Sequence, residues 1–119
     1  MAEHYDLGKE GEKLARDYLV KKGYAILEIN YRHLKAEVDI IARKGDILVA
    51  VEVKTRSTAD FGNPQDFVKP KQIQRLVKAV NHYVHLKDLD VEVRFDIVSI
   101  IKNRLGTRIE HLEDAFYHF

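Results

Sequence analysis

Asp39, Glu52 and Lys54 are charged residues placed inside two of the most apolar runs of the chain, "EVDIIAR" (37–43) and "ILVAVEVKT" (47–55). Removing carboxylates and an ammonium from water is costly unless they pair with one another or bind an ion. Two carboxylates held side by side suit a hard divalent cation such as Mg²⁺ or Mn²⁺, which takes few protein ligands and keeps several waters. Such an ion polarises a phosphoryl oxygen and makes water more acidic. A neighbouring lysine can orient or deprotonate the attacking water, or neutralise charge developing at phosphorus. The chemistry served by this combination is phosphodiester hydrolysis, with Asp39 and Glu52 as metal ligands and Lys54 attending the water. An acid-x-Lys triplet alone is weak evidence, because charged pairs also mark the solvated ends of ordinary strands. The information lies in its position after an apolar strand, opposite a second embedded acid.

Whether the acids meet depends on the elements that carry them. Alternation along a strand puts Glu52 and Lys54 on one face, and groups Glu37, Asp39 and Ile41 on one face of the preceding strand. Lys44, Gly45 and Asp46 separate the two runs and read as a hairpin turn. A two- or four-residue loop makes paired residue numbers sum to an odd value. Asp39 and Glu52 then share a face, with Cβ atoms roughly 5–8 Å apart. A plain three-residue loop sends them to opposite faces. A third acid, Glu12, falls at the border of the buried stripe of a helix read from "DLGKEGEKLARDYLVKKG", with Asp6 as N-cap and Gly23 as its stop. It is either a further ligand or supporting group for the metal, or a surface acid pairing with Arg16 at i+4.

A second helix opens at Pro70 and buries Ile73, Leu76, Val77, Val80 and Val84. Its other face carries Lys71, Arg75, Lys78 and His82, and no acid occurs from Phe67 to Lys87. Such a face is either merely solvated or available to phosphates. Gln72 near the helix start can reach a substrate or a metal-bound water, and Thr55 and Arg56, directly after the proposed site, can hold the scissile strand. Arg94 and Asp96 share a face of the strand "VEVRFDIVSII" and read as a structural pair.

The element order is α-β-β-β-α-β with a short fifth strand around 107–112, which predicts an α/β fold: a central mixed sheet flanked by helices. The 119 residues suit one domain, 1–119, and 45% hydrophobic with 33% charged residues describes a globular chain. No cysteine is present, which excludes disulfides and thiolate metal sites. No apolar run approaches a membrane span and the first twenty residues are too charged for a signal peptide, so a cytoplasmic location and no membrane partner are expected. A net charge of +1 gives no globally basic nucleic-acid binder; the basic character is local.

"LGKEGEKLARDYLVKKGYAILEINYR", "AEVDIIARKGDILVAVEVKTR", "FGNP", "KQIQRL" and "RFDIVSI" together closely resemble the YraN-like family of small bacterial proteins, over nearly the whole chain. That family is similar to restriction-endonuclease-like nucleases with a PD-(D/E)xK core, including archaeal Holliday-junction resolvases. The resemblance implies a restriction-endonuclease-like fold, with Asp39 as the motif aspartate, Glu52 and Lys54 as the E-x-K, and Glu12 as the helix-borne acid. Ala36 stands where family members usually carry glycine. The expected function is a Mg²⁺- or Mn²⁺-dependent endonuclease acting on DNA, including branched or irregular DNA, with Arg56, Lys71, Gln72, Arg75 and Lys78 binding the nucleic acid. The alternative is a non-catalytic nucleic-acid-binding or partner-binding module on the same fold. A homodimer using the C-terminal "EDAFYHF" is a further option.

Overall fold

The computed structural model describes residues 6–58 and 68–115. Seven elements follow in order: α1 (Leu7–Lys21), β1 (Ala25–His33), β2 (Ala36–Lys44), β3 (Ile47–Arg56), α2 (Pro70–Leu86), β4 (Glu92–Asn103) and β5 (Gly106–Leu112). The strands form one mixed sheet in the order β1-β2-β3-β4-β5. Every neighbouring pair is antiparallel except β3 and β4, which run parallel and are joined through α2. A parallel pair needs such a crossover, because a tight turn cannot return the chain to the same end of the sheet. The short fifth strand read from the sequence is present, and the α/β reading holds at the level of a mixed sheet and two helices. The "FGNP" stretch and the end of "EDAFYHF" lie outside the described residues.

Each face of the sheet carries one helix. On the α1 side, Ala15 and Leu19 pack with Ile40, Ala42, Val49, Val51, Val98 and Ile100. On the α2 side, Leu76, Ala79, Val80 and Tyr83 pack with Ile41, Leu48, Ala50, Phe95 and Ile97. The central strand β3 is therefore covered twice, which is why its sequence is a continuous apolar run instead of an alternating one. The Asp6 carboxylate caps α1 by accepting from the Lys9 N–H at 3.1 Å, and Gly23 leaves the helix at φ +96°. Gly11 faces Thr55 so closely that a Cβ there would overlap the threonine side chain. That contact sets α1 against the end of β3.

The β2–β3 turn is shorter than the sequence reading had it. Lys44 pairs with Ile47, so only Gly45 (φ +60°) and Asp46 form the turn, and paired numbers sum to the odd value that puts Asp39 opposite Glu52. Strict alternation in β2 fails near Asp39: Val38 lies in the α2-side core and Ile40, two residues on, in the α1-side core. Asn30 stands across from this break, between the Ile29–Ile40 and Tyr31–Val38 pairs, at φ +53°. Asparagine tolerates the left-handed region better than most residues, so the kink is accommodated in both strands.

Candidate active site

The site lies where the sheet splits. Backbone pairing between β2 and β3 ends at Ile40–Val51, while β3 and β4 continue together to Arg56–Ile101. β2 turns away in company with β1, to which it stays paired through Ala36. The last turns of β3 thus lose a neighbouring strand on one side. The Asp39 side chain takes its place: its carboxylate accepts a 2.8 Å hydrogen bond from the Val53 N–H. This bond holds Asp39 across the gap, next to Glu52.

A cleft of about 560 Å³ opens from this split toward α2, lined by Asp39, Glu52 and Glu37 on the sheet and by Lys69, Lys71, Gln72 and Arg75 on the helix side. Burial pushes the Glu52 carboxyl up to about 8, reinforced by the charge of Asp39 and only partly offset by Lys54. Burial likewise raises Asp39 to about 6; the Val53 N–H opposes that rise, and the charges of Glu12 and Glu37 add to it. The two carboxyls behave as one coupled pair that is short of positive charge. That deficit, with hard oxygen donors on rigid strands, fits a divalent cation. Among the described residues no three His, Cys, Asp or Glu side chains form a ready metal cage. A cation here would be held by Asp39 and Glu52, its remaining positions left to water or phosphate oxygens.

The expected site residues separate into three groups. Asp39, Glu52, Lys71, Gln72 and Arg75 line the one cleft. Lys54 and Glu12 do not line it, yet both are close enough for their charges to act on the two carboxyls. Lys78 lies on an adjoining cleft with Arg75, and Arg56 sits half-buried at the end of β3, off the cleft lining. Among the described residues Glu12 makes no ion pair with Arg16, so its surface-pair reading is not realised. Glu37 is exposed and pairs with Arg32 at 2.9 Å. Thr55 is turned to α1 by its contact with Gly11 and away from the cleft. Lys35 and Lys69 are cleft residues that sequence reasoning did not place there. Lys35 is the second residue of the β1–β2 turn and precedes "AEVD", a position whose significance emerges only once β1 and β2 pair.

A second buried carboxylate, on the α1 side, is fully matched. Asp96 is 0% exposed and accepts from Arg94 Nε and an Arg94 terminal nitrogen, both at 2.9 Å, and from the Asp114 N–H at 3.0 Å. His111 Nε2 lies 2.6 Å from it, and since an ionised carboxylate only accepts, Nε2–H is the donor. Tyr24 Oη holds Arg94 at 2.7 Å. Burial alone would raise Asp96, but the hydrogen bonds of His111, Arg94 and Asp114 together bring it below the ordinary carboxylate value. The structural pair expected from the sequence is present, enlarged by His111, which composition and spacing did not single out.

Comparison with known proteins agrees with the family likeness read from the sequence. The model of "Uncharacterised protein family UPF0102" matches residues 11–100. A UPF0102 protein of Christiangramia forsetii is 71% identical over the whole of both chains. One of Flavobacterium psychrophilum is 66% identical, again over the whole of both. One of Parabacteroides distasonis is 50% identical over 98% of this chain and 97% of its own. The chain belongs to the UPF0102 (YraN-like) family.

Proposed function

We propose that this protein is a divalent-metal-dependent endonuclease that hydrolyses DNA phosphodiester bonds, on a restriction-endonuclease-like fold with a PD-(D/E)xK core. The observation that carries the reading is the pair of facing carboxylates, Asp39 and Glu52, short of positive charge and set in a cleft whose opposite wall is basic. Burying two acids without matching them destabilises the fold, so their retention on rigid strands is best explained by a cationic ligand. When bound, Mg²⁺ or Mn²⁺ supplies charge neutralisation at a phosphoryl oxygen and a more acidic water.

The chain's own residues do the rest. Asp39, locked by the Val53 N–H, and Glu52, the two residues just beyond the last β2–β3 pair, fix two oxygen donors in place. Lys54 follows Glu52 on the same face and meets the negative charge that develops at phosphorus, or takes the proton of the attacking water. Glu12, from α1, adds negative potential that keeps a cation at the pair. Lys69, Lys71 and Arg75 across the cleft bind backbone phosphates, with Lys78 on the adjoining cleft extending the track, and Gln72 donates or accepts at the substrate; Arg56, off the cleft at the end of β3, is left out of this track.

The test is cleavage of a labelled DNA panel (single strand, duplex, flap and four-way junction) in Mg²⁺ or Mn²⁺ by wild type and Glu52→Ala. Cleavage by wild type alone supports the nuclease. Equal cleavage by both refutes the site. Binding without cleavage by either protein replaces the enzyme with a nucleic-acid-binding module.

A further inference from the structure

The tip of the β1–β2 hairpin has a leucine where folding gives no reason for one. His33 pairs with Ala36, so Leu34 and Lys35 form a two-residue turn, and Leu34 sits at φ +56° with 87% of its surface exposed. Such turns favour Asn or Gly, because a left-handed conformation is strained for other residues. Leu34 bears that strain and also leaves an apolar side chain in water.

Its surroundings suggest what the side chain meets. A second cleft, of about 380 Å³, lies between this tip and α2, lined by His33, Leu34, Lys35, Ala36, Arg75 and Lys78. Lys35, Ala36 and Arg75 also line the carboxylate cleft, so the two are continuous. The His33 ring stacks on that of His82 with centroids 4.0 Å apart and planes at 18°. Among the described residues Lys35, Arg75 and Lys78 have no ion-pair partner. An apolar floor between unmatched cations complements a nucleobase flanked by phosphates.

Topology adds a second, independent observation. β3 and β4 are parallel and β2 is antiparallel to them, so the β1–β2 and β4–β5 tips both lie at the end of the sheet that carries the carboxylates, one on either side of β3. The β4–β5 turn, between Asn103 and Gly106, presents Leu105 with 97% of its surface exposed. Leu105 borders a pocket of its own, with Thr58, Ile101, Asn103 and Arg108, so the Leu34 tip is the one that adjoins the carboxylate cleft.

We infer that the Leu34 tip and the adjoining cleft receive an unpaired nucleotide, so that this protein engages DNA where strands part and not uninterrupted duplex. The inference rests on the nuclease reading of the carboxylate cleft and names its substrate class. Leu34 wedges against the last stacked pair, the displaced base lies over the apolar cleft, and Lys35, Arg75 and Lys78 hold its phosphates. Leu105 plays the lesser part on the other side.

The experiment measures binding of the full chain, in EDTA to prevent cleavage, to a flap DNA with 2-aminopurine at the branch and to the matching uninterrupted duplex. Wild type is expected to bind the flap roughly tenfold more tightly, the worth of one leucine side chain removed from water, with a rise in 2-aminopurine emission. Leu34→Gly, which relieves the positive φ and so keeps the fold, brings the flap affinity down to that of the duplex and leaves the emission flat; Leu105→Ser has a smaller effect. Equal wild-type affinity for the two DNAs, or an undiminished preference in Leu34→Gly, overturns the inference. So does a change of oligomeric state in Leu34→Gly with preference intact, which would make the tip a protein contact. In each of these cases cleavage lost in Glu52→Ala still upholds the nuclease, whereas no binding to any DNA together with no cleavage in Mg²⁺ or Mn²⁺ defeats both readings.

Discussion

Asp39 with Glu52, and Asp96, are carboxylates set into the same sheet, yet the protein treats them in opposite ways. Asp96 is the more deeply buried and is answered by a guanidinium, an imidazole and a backbone N–H. Its ionised form is favoured. Among the described residues, Asp39 and Glu52 face each other with one hydrogen bond from Val53 and the partial compensation of Lys54, and burial raises both above the ordinary carboxylate value. A buried charge that is matched from within is tolerated by the fold; one left unmatched is a cost to it. Asp96 is fully buried and the other two half-buried, yet it is the inventory of donors around them that sets the direction of each shift.

The largest effects should separate the regions by what is lost. Glu52→Gln is expected to reduce cleavage by about a thousandfold, the combined weight of a lost charge and a misplaced water, with melting unimpaired. Asp96→Ala is expected to cost about 3–5 kcal/mol of stability by leaving Arg94 without its main partner, readable as a lower denaturation midpoint. A Glu52→Gln protein that cleaves normally, or an Asp96→Ala protein as stable as wild type, would erase the contrast.

Next in size is the response to pH without divalent cations. Asp39 and Glu52 hold protons more tightly in the folded protein than in the unfolded chain, with values of about 6 and about 8 against ordinary ones of 3.8 and 4.5. The stability tied to those protons is fully present below about 4 and lost as pH rises through 6 and 8. Asp96 has the opposite sign: its contribution is present above the ordinary 3.8 and lost as pH falls below that value. Thermal melts should therefore show a decline from pH 5 to 8 that Glu52→Gln flattens, and an acid-side decline that it leaves in place.

Adding Mg²⁺ sharpens the same comparison more gently. At pH 8 it should raise the melting temperature of wild type by roughly 5 °C, as a ligand that binds only the folded state does. Glu52→Gln should show little of this shift. Smallest is the effect of one phosphate contact: Lys71→Ala should weaken DNA binding evenly across sequences and lower the slope of log affinity against log salt by about one.

Much of this molecule follows from local pattern. The helices were legible because apolar residues recur at the helical period between an Asp6 cap and a Gly23 stop, and after Pro70. β3 was legible because a strand covered on both faces has to be apolar throughout, which is also why Glu52 stood out within it. The matched pair of Arg94 and Asp96 followed from alternation alone, since both lie on one strand.

Contacts between elements were another matter. Counting Lys44 as part of the turn left the hairpin register open, and only backbone pairing settled it in favour of Asp39 facing Glu52. Alternation gave no hint that β2 breaks step at Asp39, because the break is accommodated by Asn30 on another strand. His111 joined Asp96 from 15 residues away, and Thr55 went to α1 because Gly11 left room for it. The sequence by itself determined which residues are apolar, which are charged and which segments repeat at 2 or 3.6, since those are properties of the chain's own neighbours. Tertiary structure alone decided which charges are answered: that depends on where β2 parts from β3, and no residue encodes the position of a strand that is not there.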